Sequence, residues 1–445
     1  MEQDLTTGSV FKRIVYFSLP YLLSYFLQTL YGMADLFITG QFYGVDTITA
    51  VSNGSQIMHM MTVIIVGLAM GTTVTIGHSV GAKCMEQAEK IIGNTITLFM
   101  GIAVAFTVIL VVLVKPIVVL TPQEAVAGTS IYLLICFIGI PFITAYNIIS
   151  SIFRGLGDSK SPMYFIGIAC VMNIALDYLF MCAFHMGAAG AALGTVCAQT
   201  FSVLVALWVI RRRKTGISLK KSDFKIERAV IGQVLKIGIP VALQDGFIQV
   251  AFMIITVIAN SRGVSDAAAV GVVEKVISAL FIVPSSMLAT VSALSAQNLG
   301  AGKEKRATDT LRYATVITTI YGVIVAVLIQ FIAENVVGIF TSDTTVVTMG
   351  SAYIRSYIWD CIFAGIHFSF SGYFAACGKS YIGFLHNIIS ITFVRVPGSY
   401  LASKYFTDTL YPMGLAAPAG SLVSVAICVT AFILLKRKSR VAQTV

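Results

Sequence analysis

The sequence predicts an all-α integral membrane protein of twelve transmembrane helices, in two six-helix lobes related by a parallel internal repeat. Three observations carry that expectation. The 445-residue chain is 57 % hydrophobic and only 11 % charged, with a mean hydropathy of +0.88, whereas an average soluble chain carries about a quarter of charged residues. Its apolar stretches are each long enough to cross about 30 Å of hydrocarbon. Its two halves realign with one another at nearly one offset.

Between polar breaks the spans run near 14–38, 48–79, 91–114, 129–153, 162–184, 187–210, 231–259, 267–297, 311–333, 348–374, 380–402 and 410–435. Each is expected to be helical, because hydrocarbon offers no water to backbone N–H and C=O groups. The first follows a polar Met1 to Arg13 and is too long for the apolar core of a signal peptide, so it is expected to be retained. On an alternating path, 24 of the 30 Lys and Arg fall on the side shared by both termini. Lys115, Arg262 and Lys404 fall in loops on the other side, and Lys275, Arg355 and Arg395 in or at the edge of spans. Basic residues stay cytoplasmic, which predicts that both termini are inside.

The largest basic segment, RRRKTGISLKKSDFKIER from Arg211 to Arg228, lies mid-chain. It divides the expected N-lobe, residues 1–213, from a cytoplasmic linker, 214–230, and a C-lobe, 231–445. The halves repeat: SLPYLLSYFLQTLYGMADLFITG at Ser18 realigns with GIPVALQDGFIQVAFMIITVIAN at Gly238, SVGAKCMEQAEK at Ser79 with NLGAGKEKRATD at Asn298, and FRGLGDSK at Phe153 with FAACGKSY at Phe374. An even number of spans per half makes the repeat parallel, and membrane proteins built this way are commonly transporters.

Ionisable side chains in hydrocarbon cost several kcal/mol unless paired or hydrated, so each marks a functional candidate. Asp35 lies about 20 residues into span one, roughly 30 Å along the helix. Asp177 and Asn173 share a face of span five at i, i+4, and Thr195 enters span six from the outer side. All four should reach similar depth in one lobe. Two carboxylates close together in a low dielectric cannot both stay charged, so they share a proton or capture a cation. In the second half, Asp245, Glu274, Lys275, Asp360 and Arg395 are expected as buried polar groups. Their nearly balanced signs suggest a structural ion-pair network or else a second substrate contact.

Other chemistry finds little support. The eight cysteines are scattered without a CxxC, and the five histidines lack metal-ligand spacing. The GLG at Gly155–Gly157 follows no strand, and no Walker lysine motif exists, so nucleotide chemistry is not expected. The chain is therefore not expected to be an enzyme or to need a cofactor, and its +10 charge is read as membrane topology with lipid as the partner rather than nucleic acid.

Taken together, LPYLLSYFLQTLYGMADLFITGQFYG, GLAMGTTVTIGHSVGAK, FRGLGDSKSP, NIALDYLF, GAAGAALGTVCAQ and SAQNLGAGKEKRA resemble the multidrug and toxic compound extrusion (MATE) family, most of all its DinF-like bacterial branch. The resemblance covers nearly the whole chain. It implies an antiporter of the bacterial plasma (inner) membrane that exports small organic, often cationic, compounds by alternating access in exchange for inward protons or sodium. The matching residues of the cation site are Asp35, Asn173, Asp177 and Thr195, with sodium, if used, held at Asp35 and Asp177. Gln28 and Tyr31 match residues bordering the substrate cavity, to which Asn147 is also assigned, and Pro20 would let span one bend as Asp35 loses charge. The NorM-like branch carries a span-seven glutamate where this chain offers Gln249, which argues against a C-lobe sodium site of that kind. A monomer is expected. The alternatives are a lipid-linked precursor flippase of the same superfamily and a non-transporting membrane receptor or channel.

Overall fold

The computed structural model describes residues 4–212 and 218–444. Residues 214–217 of the expected linker, and the extreme ends of both lobes, lie outside them. Among the described residues the regular structure is helical throughout.

The twelve expected spans each have a helical counterpart. Span one is Val10–Phe42, span two Val45–Gly81 and span three Met85–Ile117. Span four consists of Val126–Ile138 and Ile140–Gly155, bent by 52° where Gly139 and Pro141 interrupt the ladder. Span five runs Lys160–Asp177 and continues through a π turn, Tyr178–Ala183; span six is Gly187–Arg212. Span seven is Arg228–Asn260, span eight Val264–Leu280 with Ile282–Gly300, and span nine Glu304–Gly338. Span ten is Thr344–Tyr357 with Asp360–Ala376, and span eleven joins Ser380–Ser390, a π turn Ile391–Arg395, and Val396–Tyr405. Span twelve is Tyr411–Gly414 with Ala416–Thr444.

Eight of these are long and apolar enough to cross a membrane by themselves, and the bent fourth makes a ninth. Span one falls short because its tyrosines, serines and Gln28 lower its hydropathy, and spans ten and eleven because each is broken near a buried charged residue. Most helices outrun the apolar stretch that predicted them. At about 1.5 Å per residue, the 35 residues of span nine measure roughly 52 Å, so the helix continues beyond the hydrocarbon while only its middle need be apolar.

The chain packs as two compact units, and their boundary falls inside span seven, at Ala242, instead of at the basic linker. The first unit holds Val15–Ala242 and Ala296–Gly302; the second holds Leu243–Ser295 and Lys303 onward, with Ser9–Ile14. Glycine explains the placement. A Cβ on Gly71 of span two would stand 2.1 Å from the Val234 carbonyl oxygen, and one on Gly300 would stand 2.1 Å from the His78 carbonyl. The start of span seven and the end of span eight thus touch span two backbone to backbone, the close approach that small residues permit between helices in lipid. Gln297 adds a hydrogen bond from Nε2 to the Gly155 carbonyl at 2.9 Å.

The described part of the basic segment is docked. Asn94 of span three donates to the Asp223 carbonyl at 3.0 Å and accepts from the Glu227 amide at 2.7 Å, while Glu89 accepts from the Ser218 amide at 2.6 Å. In the second unit the core is an apolar cluster that includes Ile255, Val273, Ile277, Tyr353, Tyr357 and Met413.

Candidate functional site

Span one stays one helix through Pro20, whose ring removes a donor from the hydrogen-bond ladder, and the Ser24 hydroxyl donates to the Pro20 carbonyl at 2.8 Å. Four turns on, the same helix buries Asp35, which is 3 % exposed. Span five brings Asn173 and Asp177 to the same depth, both buried. Thr195 of span six completes the group: its hydroxyl donates to Asp35 Oδ2 at 3.2 Å, and Asn173 Nδ2 lies 3.5 Å from that hydroxyl. Asp35 and Asp177 face each other within hydrogen-bonding reach. The four residues expected to converge therefore do.

The chemistry of this group lies in what it lacks. Asp35 Oδ1, both carboxyl oxygens of Asp177 and Asn173 Oδ1 are buried without a donor, and no basic side chain neighbours either acid among the described residues. Buried acceptors are nearly always partnered, so four orphaned oxygens in one place mark a site that something else must satisfy. A proton shared between the carboxyls would satisfy it, since it turns one acceptor into a donor. A sodium ion would do so as well, because carboxylate, amide and hydroxyl oxygens are the ligands that hard cations take.

Two features of this site were not foreseen. Asp177 is followed at once by the π turn Tyr178–Ala183, a helix irregularity that often accompanies functional sites. Gly194 stands directly over the carboxyl: a Cβ there would lie 2.1 Å from Asp177 Oδ1. The signal was present in GAAGAALG, whose Gly190 and Gly194 face span five. Gly194→Ala is therefore expected to push the Asp177 carboxyl aside and lower transport at normal expression, with a packing cost of about 1–3 kcal/mol. Gly167→Ala, whose Cβ would meet only Leu27 at 3.8 Å, is the control. Equal efflux rates in the two variants would remove Gly194 from the site.

Tyr31 lies one turn before Asp35, its hydroxyl beside the Gln28 and Gln199 side chains. Gln199 is a neighbour that the sequence did not single out. Asn147 is buried in the second half of span four and donates to its own helix, Nδ2 to the Ile143 carbonyl at 2.8 Å.

The second unit is more divided than its sequence suggests. Arg395, at the end of the span-eleven π turn, is 9 % exposed, donates to the Tyr357 hydroxyl and stands 4.9 Å above the Phe252 ring. Asp360 and Glu274 face its charge, and Thr256 donates to Glu274 Oε2 at 3.3 Å. Asp245 stands apart, half-buried, with no charged group beside it among the described residues. Lys275 was expected to be buried with these groups and is not: it is exposed. Adjacent helical residues point about 100° apart, so the face that buries Glu274 turns Lys275 outward.

The comparisons bear on both halves. The family model described as MatE matches residues 20–179 and again 240–401. The probable multidrug resistance protein YpnP of Bacillus subtilis is 30 % identical, over 93 % of this chain and 93 % of its own length. The probable multidrug resistance protein NorM of Thermotoga maritima is 23 % identical over 89 % of this chain and 86 % of its own. The multidrug export protein MepA of Staphylococcus aureus is 24 % identical over 83 % and 82 %. Among solved structures, an outward-facing multidrug resistance MATE family transporter of the MOP superfamily superimposes with a TM-score of 0.91 at 20 % identity, covering 97 % of this chain and 98 % of that one. A MATE crystal structure in the bent conformation gives 0.90 at 21 %, covering 98 % of each. At these identities the solved structures speak for the fold alone.

Proposed function

Since this chain belongs to the MatE family, we propose that it exports small organic, cationic compounds by alternating access, exchanging them for protons or sodium at Asp35 and Asp177. The observation that carries this reading is the pair of buried, facing carboxyls with orphaned oxygens and no base beside them. Such a pair holds a cation while it is charged and releases it once a proton or sodium ion neutralises it. Asn173 and Thr195 keep the acids in register, and Gln28, Tyr31 and Gln199, adjoining them, offer polar contacts to a substrate. Asn147, committed to its own helix turn, would have to break that bond to reach one.

Linkage makes the scheme testable, because the coupling ion must weaken substrate binding by the same factor as substrate weakens ion binding. In everted vesicles with separately imposed gradients, accumulation of ethidium or norfloxacin should follow the proton gradient or the sodium gradient. Equilibration without accumulation under either gradient would favour a channel and sink the antiport reading. In this scheme both termini lie on the cytoplasmic side of a bacterial plasma membrane, a reading supported by the charge bias of the loops.

A further inference from the structure

Three spans carry the four residues of the first-unit site: span one holds Asp35, span five Asn173 and Asp177, and span six Thr195. The ends of spans one and five and the start of span six meet at a side chain outside that group. The Tyr43 hydroxyl, just past the end of span one, donates to the Met181 carbonyl at 2.7 Å and accepts from the Gly187 amide at 2.9 Å. Met181 belongs to the π turn that follows Asp177, and Gly187 opens span six.

A hydroxyl in this place completes the connection between spans five and six. The Phe184 amide reaches back five residues to the Leu179 carbonyl at 3.1 Å, and the Met186 amide six residues to the Phe180 carbonyl at 3.0 Å. The next bond in that series would join the Gly187 amide to the Met181 carbonyl, and the Tyr43 hydroxyl stands between those two groups instead. The connection holds His185 and Gly187 in the left-handed region, at φ 54° and 56°, a conformation that a non-glycine residue adopts only at a cost. A residue of span one thus pins a tight, strained connection between the other two.

From Tyr43, contacts run along the helices to the acids. On span one the Tyr43 amide donates to the Thr39 carbonyl at 2.9 Å, and the Thr39 hydroxyl to the Asp35 carbonyl at 2.6 Å. On span six a Cβ at Gly190 would lie 3.0 Å from Met181 Cγ, and one turn further a Cβ at Gly194 would lie 2.1 Å from Asp177 Oδ1. Span six is therefore seated on span five from the π turn to the carboxyl. Thr195 then closes the circuit, its hydroxyl donating to Asp35 Oδ2 at 3.2 Å.

We infer that Tyr43 is a positioning residue for the first-unit site, setting the separation of spans one, five and six at which the Asp35 and Asp177 carboxyls meet. The inference rests on the reading of that pair as the ion-coupling site. An ion shared by two carboxyls needs both in contact, so a loosened separation weakens its binding. Gln28 and Tyr31, offered as substrate contacts, lie twelve or more residues away along span one and are left in place.

Tyr43→Phe removes only the hydroxyl. Tyr321→Phe is the matched control, since its hydroxyl also donates to a main-chain carbonyl, that of Leu280 at 2.9 Å, in the second unit. In everted vesicles carrying the full-length proteins, Tyr43→Phe should raise the concentration of the driving ion, proton or sodium, at half-maximal ethidium accumulation. The expected rise is about two- to tenfold, the factor that one net hydrogen bond corresponds to. Its KM for ethidium should stay within about twofold of the parent's and its Tm within about 5 °C, and Tyr321→Phe should leave the ion dependence unchanged. An unmoved ion dependence in Tyr43→Phe, an equal shift in Tyr321→Phe, a KM shift as large as the ion shift, or a larger fall in Tm would each overturn the positioning role. Asp35→Asn in the same vesicles separates this role from the reading beneath it. If the parent accumulates no ethidium, or Asp35→Asn accumulates it at the parent's rate, the coupling reading fails and the inference falls with it. If Asp35→Asn is inactive while Tyr43→Phe matches the parent, only the role of Tyr43 falls.

Discussion

Asp35→Asn and Asp177→Asn are each expected to reduce gradient-driven efflux by at least about tenfold at near-normal expression. The amide keeps the shape and hydrogen-bonding capacity of the carboxyl but cannot change charge, so it removes the ion-dependent switch and leaves packing nearly intact. The double variant should be no worse than either single one, because the two side chains act as one unit across a shared contact. Transport assays on all three, beside measured expression and thermal stability, decide it. Full activity in both single variants would move ion coupling away from this pair.

The second large effect falls far from that site. Arg262, in the loop between spans seven and eight, pairs with Asp266 at 2.6 Å. It also donates to the carbonyls of Ser403, Phe406 and Thr407 at 3.0, 2.9 and 2.9 Å, with a longer bond to Thr409 at 3.4 Å. One guanidinium thus ties the seven–eight loop to the eleven–twelve loop, and its side chain is only 6 % exposed. Arg262→Ala strands a carboxylate and several carbonyls at once, which should cost about 3–5 kcal/mol and lower the Tm by roughly 6–12 °C. Arg262→Lys should recover only part of the loss, since an ammonium cannot match the fork of five donors. A Tm for Arg262→Ala within about 2 °C of the parent would show that the clasp contributes little.

Arg262 also shows the limit of reading charge by position. Its place on the lightly charged side of the membrane was legible, but not its burial, because the partners that bury it lie about 140 residues further along the chain. The first-unit site was legible for the opposite reason. Helical rise converts residue number into depth, so the depths of Asp35, Asn173, Asp177 and Thr195 could be compared before any contact was known. What depth could not supply was the lateral fit: Gly194 against the Asp177 carboxyl, Gln199 beside Tyr31, and the π turn that follows Asp177.

The sequence by itself determined that this chain is a helical membrane protein, how many spans it has, that its halves repeat, and which acids of the first half share a depth. These properties follow from hydropathy, helical rise and spacing, which are local and one-dimensional. Only the tertiary structure decided that the first compact unit extends to Ala242, that Arg262 is a clasp, and that Lys275 turns outward while Glu274 beside it turns inward. Those outcomes depend on which face of each helix meets which neighbour. A rotation of about 100° between adjacent residues moves a charge from a packed interior to an exposed face without changing its position in the sequence.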